Sequence, residues 1–187
     1  MDAHNYVTYE QFGRRFFEIA VTEERIAAAF AEIAGDEFMI GPFRHGPGRF
    51  ARISAKVNVL KPHAERTLGD TITFEIRIPL AIDLLVDLRL DKQRFRVTGE
   101  IDLRASARAA EPLLLVIDVA KPRPSDITVD VLSSSIRGEL LRILAGVDAE
   151  IQRFIAKYVS DQIDAPESEK AKVIDVADRL DAAWTGI

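Results

Sequence analysis

The chain contains no cysteine. That excludes a disulfide framework, a thiolate nucleophile and any cysteine-based zinc site. Histidine is scarce too. His4, His45 and His63 are the only three, and none has a second histidine or a carboxylate at a metal-ligand spacing such as i, i+4. No serine occupies a Gly-x-Ser-x-Gly elbow. Gly41, Gly46 and Gly48 lack the Lys-Ser/Thr ending of a phosphate loop and read as turns. No stretch approaches the ~20 apolar residues of a membrane-crossing helix. Met1-Asp2-Ala3-His4-Asn5 is not the basic region of a secretory leader, so the expected compartment is the cytoplasm. Positive charge is also short: 25 Lys and Arg against 30 Asp and Glu give a net charge of −5. A general nucleic-acid binder needs a basic surface to release counterions. The expectation is therefore no catalysis, no metal, no cofactor and no nucleic-acid partner. Internal repeats and low-complexity tracts are missing as well.

What is present is a globular composition, 48% hydrophobic and 29% charged over 187 residues, enough for one sizeable core. The dominant pattern is alternation. From Ile72 to Leu90 every even position is apolar, the period-two signature of a strand with one buried face. From Phe95 the apolar set moves to odd positions: Val97, Ile101, Leu103, Ala105, Ala107 and Ala109. Reversing the chain around Lys92 and Gln93 predicts Leu90 opposite Phe95, Leu88 opposite Val97 and Leu84 opposite Ile101, with both apolar sets on one face. A hairpin this long must coil under its own twist and close around something. Pro79 predicts an edge, a bulge or a split within the first long strand.

Thr8 with Gln11 forms a capping box for a helix carrying Phe12, Phe16 and Ile19. Thr22, followed by Glu23 and Glu24, is a second start, and Gly35 a stop, so one kinked helix or two consecutive helices fit. Phe38–Ile40 and Arg52–Val59 read as strands, separated by a Gly/Pro loop. Lys61–Gly69 reads as a loop. Leu113–Val119 and Ile127–Val131 read as further strands joined by the stiff Lys121–Asp126 connection. Ser133-Ser134-Ser135 can cap a closing helix, with Ile136, Leu140, Ile143, Leu144, Val147, Ile151, Phe154, Ile155, Tyr158, Val159 and Ile163 on one stripe. That helix is predicted to run about 40 Å, with Gly146 a point of bending. Residues 1–165 make one domain. Residues 166–187 make a short amphipathic tail helix with Val173, Val176, Ala177, Leu180 and Trp184 inward. The fold class is α+β: a long, strongly curved antiparallel meander wrapped around a long C-terminal amphipathic helix, with N-terminal helices in front.

In the predicted register Asp83 faces Asp102, a carboxylate pair on the solvated face. Arg94, Arg96, Arg104 and Arg108 share a strand face, and Arg44, Arg49, Arg52, Lys56 and Lys61 form a second basic set. Either set reads as a solvated surface with cross-strand pairs, or as a contact for anionic headgroups or an acidic partner. The small residues Ala105, Ala107 and Ala109 leave room on the concave face, to be filled by a helix or by a ligand.

Three stretches carry a resemblance: Ile78-Pro79-Leu80-Ala81-Ile82-Asp83-Leu84 leading into the hairpin; Leu113–Val119 with the Pro-rich connection and Ile127–Val131; and the closing helix Leu140–Ile163. In layout they resemble the tubular lipid-binding (TULIP) superfamily, whose members wrap a curved antiparallel sheet around a long helix and hold lipid in the seam. The helix-grip, START-like domain is the competing layout and also encloses an apolar ligand. The resemblance implies a non-catalytic carrier of a lipid or other apolar small molecule. On this reading Phe74, Ile76, Ile78, Phe95, Val97 and Ala105 line the sheet side and Leu144, Ile151 and Phe154 the helix side. Peripheral membrane contact stays open. So does a protein-interaction or homodimerisation module with a side-chain-filled core.

Overall fold

The computed structural model describes residues 4–35, 37–131 and 138–184. The chain opens with two helices, α1 (Tyr9–Ala20) and α2 (Glu23–Ala34). Both start where the sequence predicts: Thr8 and Gln11 form the reciprocal capping box, and the Thr22 hydroxyl accepts the Arg25 N–H. The strands follow: β1 (Glu37–His45), β2 (Ala51–Val59), β3 (His63–Thr67), β4 (Ile72–Asp87), β5 (Lys92–Ala110), β6 (Leu114–Val119) and β7 (Ile127–Val129). Then come α3 (Glu139–Leu144), α4 (Val147–Ile163), α5 (Pro166–Lys172), β8 (Val173–Asp175) and α6 (Val176–Trp184).

All strand pairs are antiparallel, in the order β1-β2-β4-β5-β6-β8, with β3 also beside β4 and β7 beside β5. The sheet is a strongly curled half-barrel. β4 is its spine. Its even residues from Ile72 to Val86 are all buried, and at about 3.3 Å per residue it traces roughly 50 Å of chain. Pro79 does not interrupt it. The Pro79 carbonyl accepts the Leu60 N–H at 2.9 Å. On that side the partner of β4 changes from β2, which ends opposite Leu80, to β3, which starts opposite Arg77. The missing proline N–H therefore falls where no ladder bond is required.

The hairpin keeps the predicted parity but not the predicted register. Leu84 faces Phe95 and Ile72 faces Ala107, a shift of six residues along β5. The strand ends at Asp87, and 88–91 form the turn, with Arg89 at φ 70 and Leu90 fully exposed. Asp83 consequently faces Arg96, not Asp102, and the two are 3.3 Å apart as an ion pair. Asp102 faces Arg77, so the carboxylate pair does not form. β3 replaces part of the predicted loop, and His45 and His63 end up in strands. Gly99 has a packing reason. A Cβ there would meet the Thr128 carbonyl at 2.7 Å, so only glycine lets β7 lie this close to β5.

The closing helix is two helices. Gly146 adopts φ 82, ψ 4, a left-handed conformation that separates α3 from α4. α4 alone spans about 25 Å. It buries Val147, Ile151, Ile155, Val159 and Ile163, most of the stripe read from the sequence, while Phe154 is exposed and Tyr158 only partly buried. Ser133-Ser134-Ser135 and Ile136 lie outside the described residues. The tail differs from one helix: Val173–Asp175 leaves helical geometry to pair with β6. Leu180 and Trp184 then face solvent, Trp184 at 74% exposure, while Val176 packs against the core.

Candidate ligand-binding groove

Seven of the nine candidate lining residues meet in one buried cluster: Phe74, Ile76, Ile78, Val97, Ala105, Leu144 and Ile151. Their immediate neighbours include Ile53, Leu80, Ile101 and Ile155, each almost wholly buried. Phe95 packs at the edge of this cluster. Phe154 does not join it. It is 41% exposed and meets Phe43 in a tilted ring contact at a centroid distance of 5.5 Å. Phe43 in turn meets His45 edge-on, and the His45 ring lies 2.8 Å from the Ala145 carbonyl at the α3–α4 break.

The small residues of β5 open a different place. Ala105 faces Phe74 and Val119, and Ala107 faces Ile72 and Ile117. Ala109 faces only Leu115, because β4 starts at Ile72. Beyond that point α1 takes over as the neighbour. A groove of about 640 Å³ runs between Gly13, Arg14, Phe17 and Glu18 of α1, the β3–β4 turn at 68–72, and Ala107, Arg108 and Ala109.

α1 is held at one end. The Arg66 guanidinium donates to the Glu18 and Val21 carbonyls at 2.6 and 2.7 Å, and the Arg66 N–H donates to the Glu23 carboxylate at 2.8 Å. Arg25 donates to the Ala20 carbonyl at 2.8 Å. Two cations thus satisfy the terminal carbonyls of α1 and oppose its dipole. At its other end the capping box is a purely local contact. Phe17 and Ala20 reach the core, yet no α1 side chain is fully buried. Phe12 and Ile19 are 62% and 71% exposed. The expected inward face of this helix is largely turned to solvent.

The groove is mixed in character. Phe17, Leu68, Ile72, Ala107 and Ala109 provide apolar wall; Arg14, Glu18, Asp70 and Arg108 provide polar rim. Arg108 is paired with Asp118 at 3.3 Å. The groups with displaced pKa values lie elsewhere and are exposed. Glu24 is held below the usual carboxylate range by its own backbone N–H and the Thr22 hydroxyl at the start of α2. Asp126 is held down by the Arg123 side chain and backbone N–H, and Arg123 is raised in return. Lys56 is raised by Glu37, 2.7 Å away. These are surface pairs, not a tuned acid and base. Among the described residues no group of His, Asp or Glu is arranged to hold a metal ion. No described helix is long and apolar enough to cross a membrane.

The α1 contribution to the groove was not read from the sequence, which pointed to the seam between the curved sheet and the closing helix. The available signal was the amphipathic pattern of Tyr9–Ala20, which carries more large apolar side chains than a helix packed by one face can bury. No protein-family model matches this sequence, and no curated protein matches it either.

Proposed function

We propose that this protein binds a lipid or a similar apolar molecule without catalysing its conversion, in the groove beneath α1. The observation that carries this reading is the pairing of a part-apolar groove of about 640 Å³ with an amphipathic helix beside it whose Phe12 and Ile19 are largely exposed. An acyl chain laid between Phe17, Ile72, Ala107 and Ala109 would be driven by apolar burial at about 25 cal/mol per Å², before association costs. Within this reading the curled sheet wraps α4, whose Ile151, Ile155 and Val159 fill the concave side. The ligand lies in the seam at the end of the sheet rather than at its filled centre. Kinship with tubular lipid-binding domains belongs to the same proposal, supported by the curled antiparallel sheet and its closing helices.

The test is native mass spectrometry of freshly purified protein, followed by organic extraction. A co-purifying acyl lipid, or uptake of one from mixed lipids, is the expected result. A mass that stays unliganded after incubation with lipids overturns it. A second reading, a homodimerisation module with a side-chain-filled core, is favoured by the exposed Leu180 and Trp184 of α6. Dimer peaks in the same spectra that vanish on truncation after Ile163, with lipid uptake absent, would select it.

A further inference from the structure

At the end of β4 remote from the groove the chain gathers positive charge. Arg44 on β1 faces Arg52 on β2, and Arg52 faces Asp87 on β4. Like charges directly opposite one another are unfavourable in a sheet. The one carboxylate in this row is already engaged: Asp87 lies 3.6 Å from Lys92 and accepts the Arg89 N–H at 3.0 Å. That hydrogen bond holds Arg89 in its turn at φ 70, and Arg89 lines a pocket of about 210 Å³ together with Arg44, Arg52, Phe50 and the carboxylate-bearing Asp87 itself. Among the described residues none of the three guanidiniums has a hydrogen bond or an ion pair. Across 44–52 and 87–94 six cations stand against two carboxylates, in a chain whose net charge is −5.

We propose that Arg44, Arg52 and Arg89 form a binding site for a phosphate group. Three arginines lining one small pocket can offer planar donor forks to a tetrahedral oxyanion, whose charge would relieve their mutual repulsion and outweigh the single Asp87. Phe50 offers an apolar wall for whatever the phosphate is attached to, and the fully exposed Leu90 adjoins Arg89 at the tip of the turn. The phosphate is that of a lipid headgroup or that of a soluble phosphorylated molecule.

The full chain is titrated with inorganic phosphate by calorimetry. Separately it is sedimented with phosphatidylcholine vesicles made with and without phosphatidylglycerol. Arg52→Gln and Arg89→Gln, both at exposed positions, each weaken the interaction about tenfold or more. Arg77→Gln, which removes the same charge from the sheet's outer face elsewhere, leaves it unchanged. Binding of phosphate without binding of vesicles identifies a soluble phosphorylated ligand. Vesicle binding that requires phosphatidylglycerol and falls in Leu90→Ser identifies a headgroup. The site is overturned if neither phosphate nor vesicles bind. It is equally overturned if folded Arg52→Gln and Arg89→Gln bind as the parent does, or if Arg77→Gln weakens binding equally.

Discussion

Ala109→Trp is the sharpest test of the groove. Ala109 is exposed, lies at the end of β5 past the start of β4, and lines the groove. Its side chain meets no β4 partner, so an indole there enters the groove and not the core. Tryptophan is well tolerated in strands, and substitutions at exposed positions usually shift stability by no more than about 0.5 kcal/mol. The effect on a ligand is much larger. An aromatic side chain of this size covers about 150–250 Å². If it displaces an equal area of acyl chain, the lost burial is about 4–6 kcal/mol at 25 cal/mol per Å², which corresponds to an affinity loss well beyond a hundredfold. The assay is a fluorescent fatty acid titrated into parent and variant, with urea midpoints measured on both. Equal midpoints with binding abolished is the expected result. Equal midpoints with equal affinity would refute the placement of ligand against β5.

Three further outcomes follow from the same geometry. Arg66→Gln removes the guanidinium that binds the Glu18 and Val21 carbonyls; α1 amides should exchange with deuterium markedly faster while those of β4 do not change. Gly99→Ala places a methyl group 2.7 Å from the Thr128 carbonyl and should cost about 1–3 kcal/mol in denaturant unfolding. Glu24 and Asp126 both have folded pKa values below their ordinary values of 4.5 and 3.8. Their stabilising contribution is therefore complete above those values and is lost as pH falls through the lower folded ones. Thermal midpoints should be flat near neutrality and decline below about pH 4.5, and Asp126→Asn should shrink that decline.

Much of the fold is legible because alternation and capping are local. Thr8, Thr22 and the even residues of β4 are in place for the reasons that predict them. Register is not local in the same sense. Moving β5 by six residues preserves which side chains face inward, so the alternation cannot detect it, and Leu88 and Leu90 continue the pattern into the turn. Every cross-strand pair depends on that shift. Asp83 with Arg96 and Arg52 beside Asp87 become visible only once the partners are known. β3 escaped notice because its His63-Ala64-Glu65-Arg66-Thr67 lacks large apolar residues; it lies against α2 and needs few. The helical stripe runs through Gly146 without a break, since periodicity does not register a positive φ. Phe154 misses the core by angle: at about 100° per residue it lies about 60° from Ile151 and about 100° from Ile155, on the side away from Val159 and Ile163.

The groove itself was only half legible. Ala105, Ala107 and Ala109 announced spare room on the concave face, but the sequence left it between a packed helix and a ligand and set it opposite Leu80, Ile78 and Ile76. The six-residue shift instead sets Phe74 opposite Ala105 and Ile72 opposite Ala107. The groove lies further along, beside Ala107 and Ala109, where β4 begins and α1 is the neighbour.

The most direct measurement is photolabelling with a diazirine-bearing fatty acid, followed by peptide mapping. The account predicts crosslinks within residues 9–20, 68–72 and 107–110, competed away by unlabelled fatty acid and absent in Ala109→Trp. Labelling confined to other segments, or none that unlabelled fatty acid can compete, would contradict it.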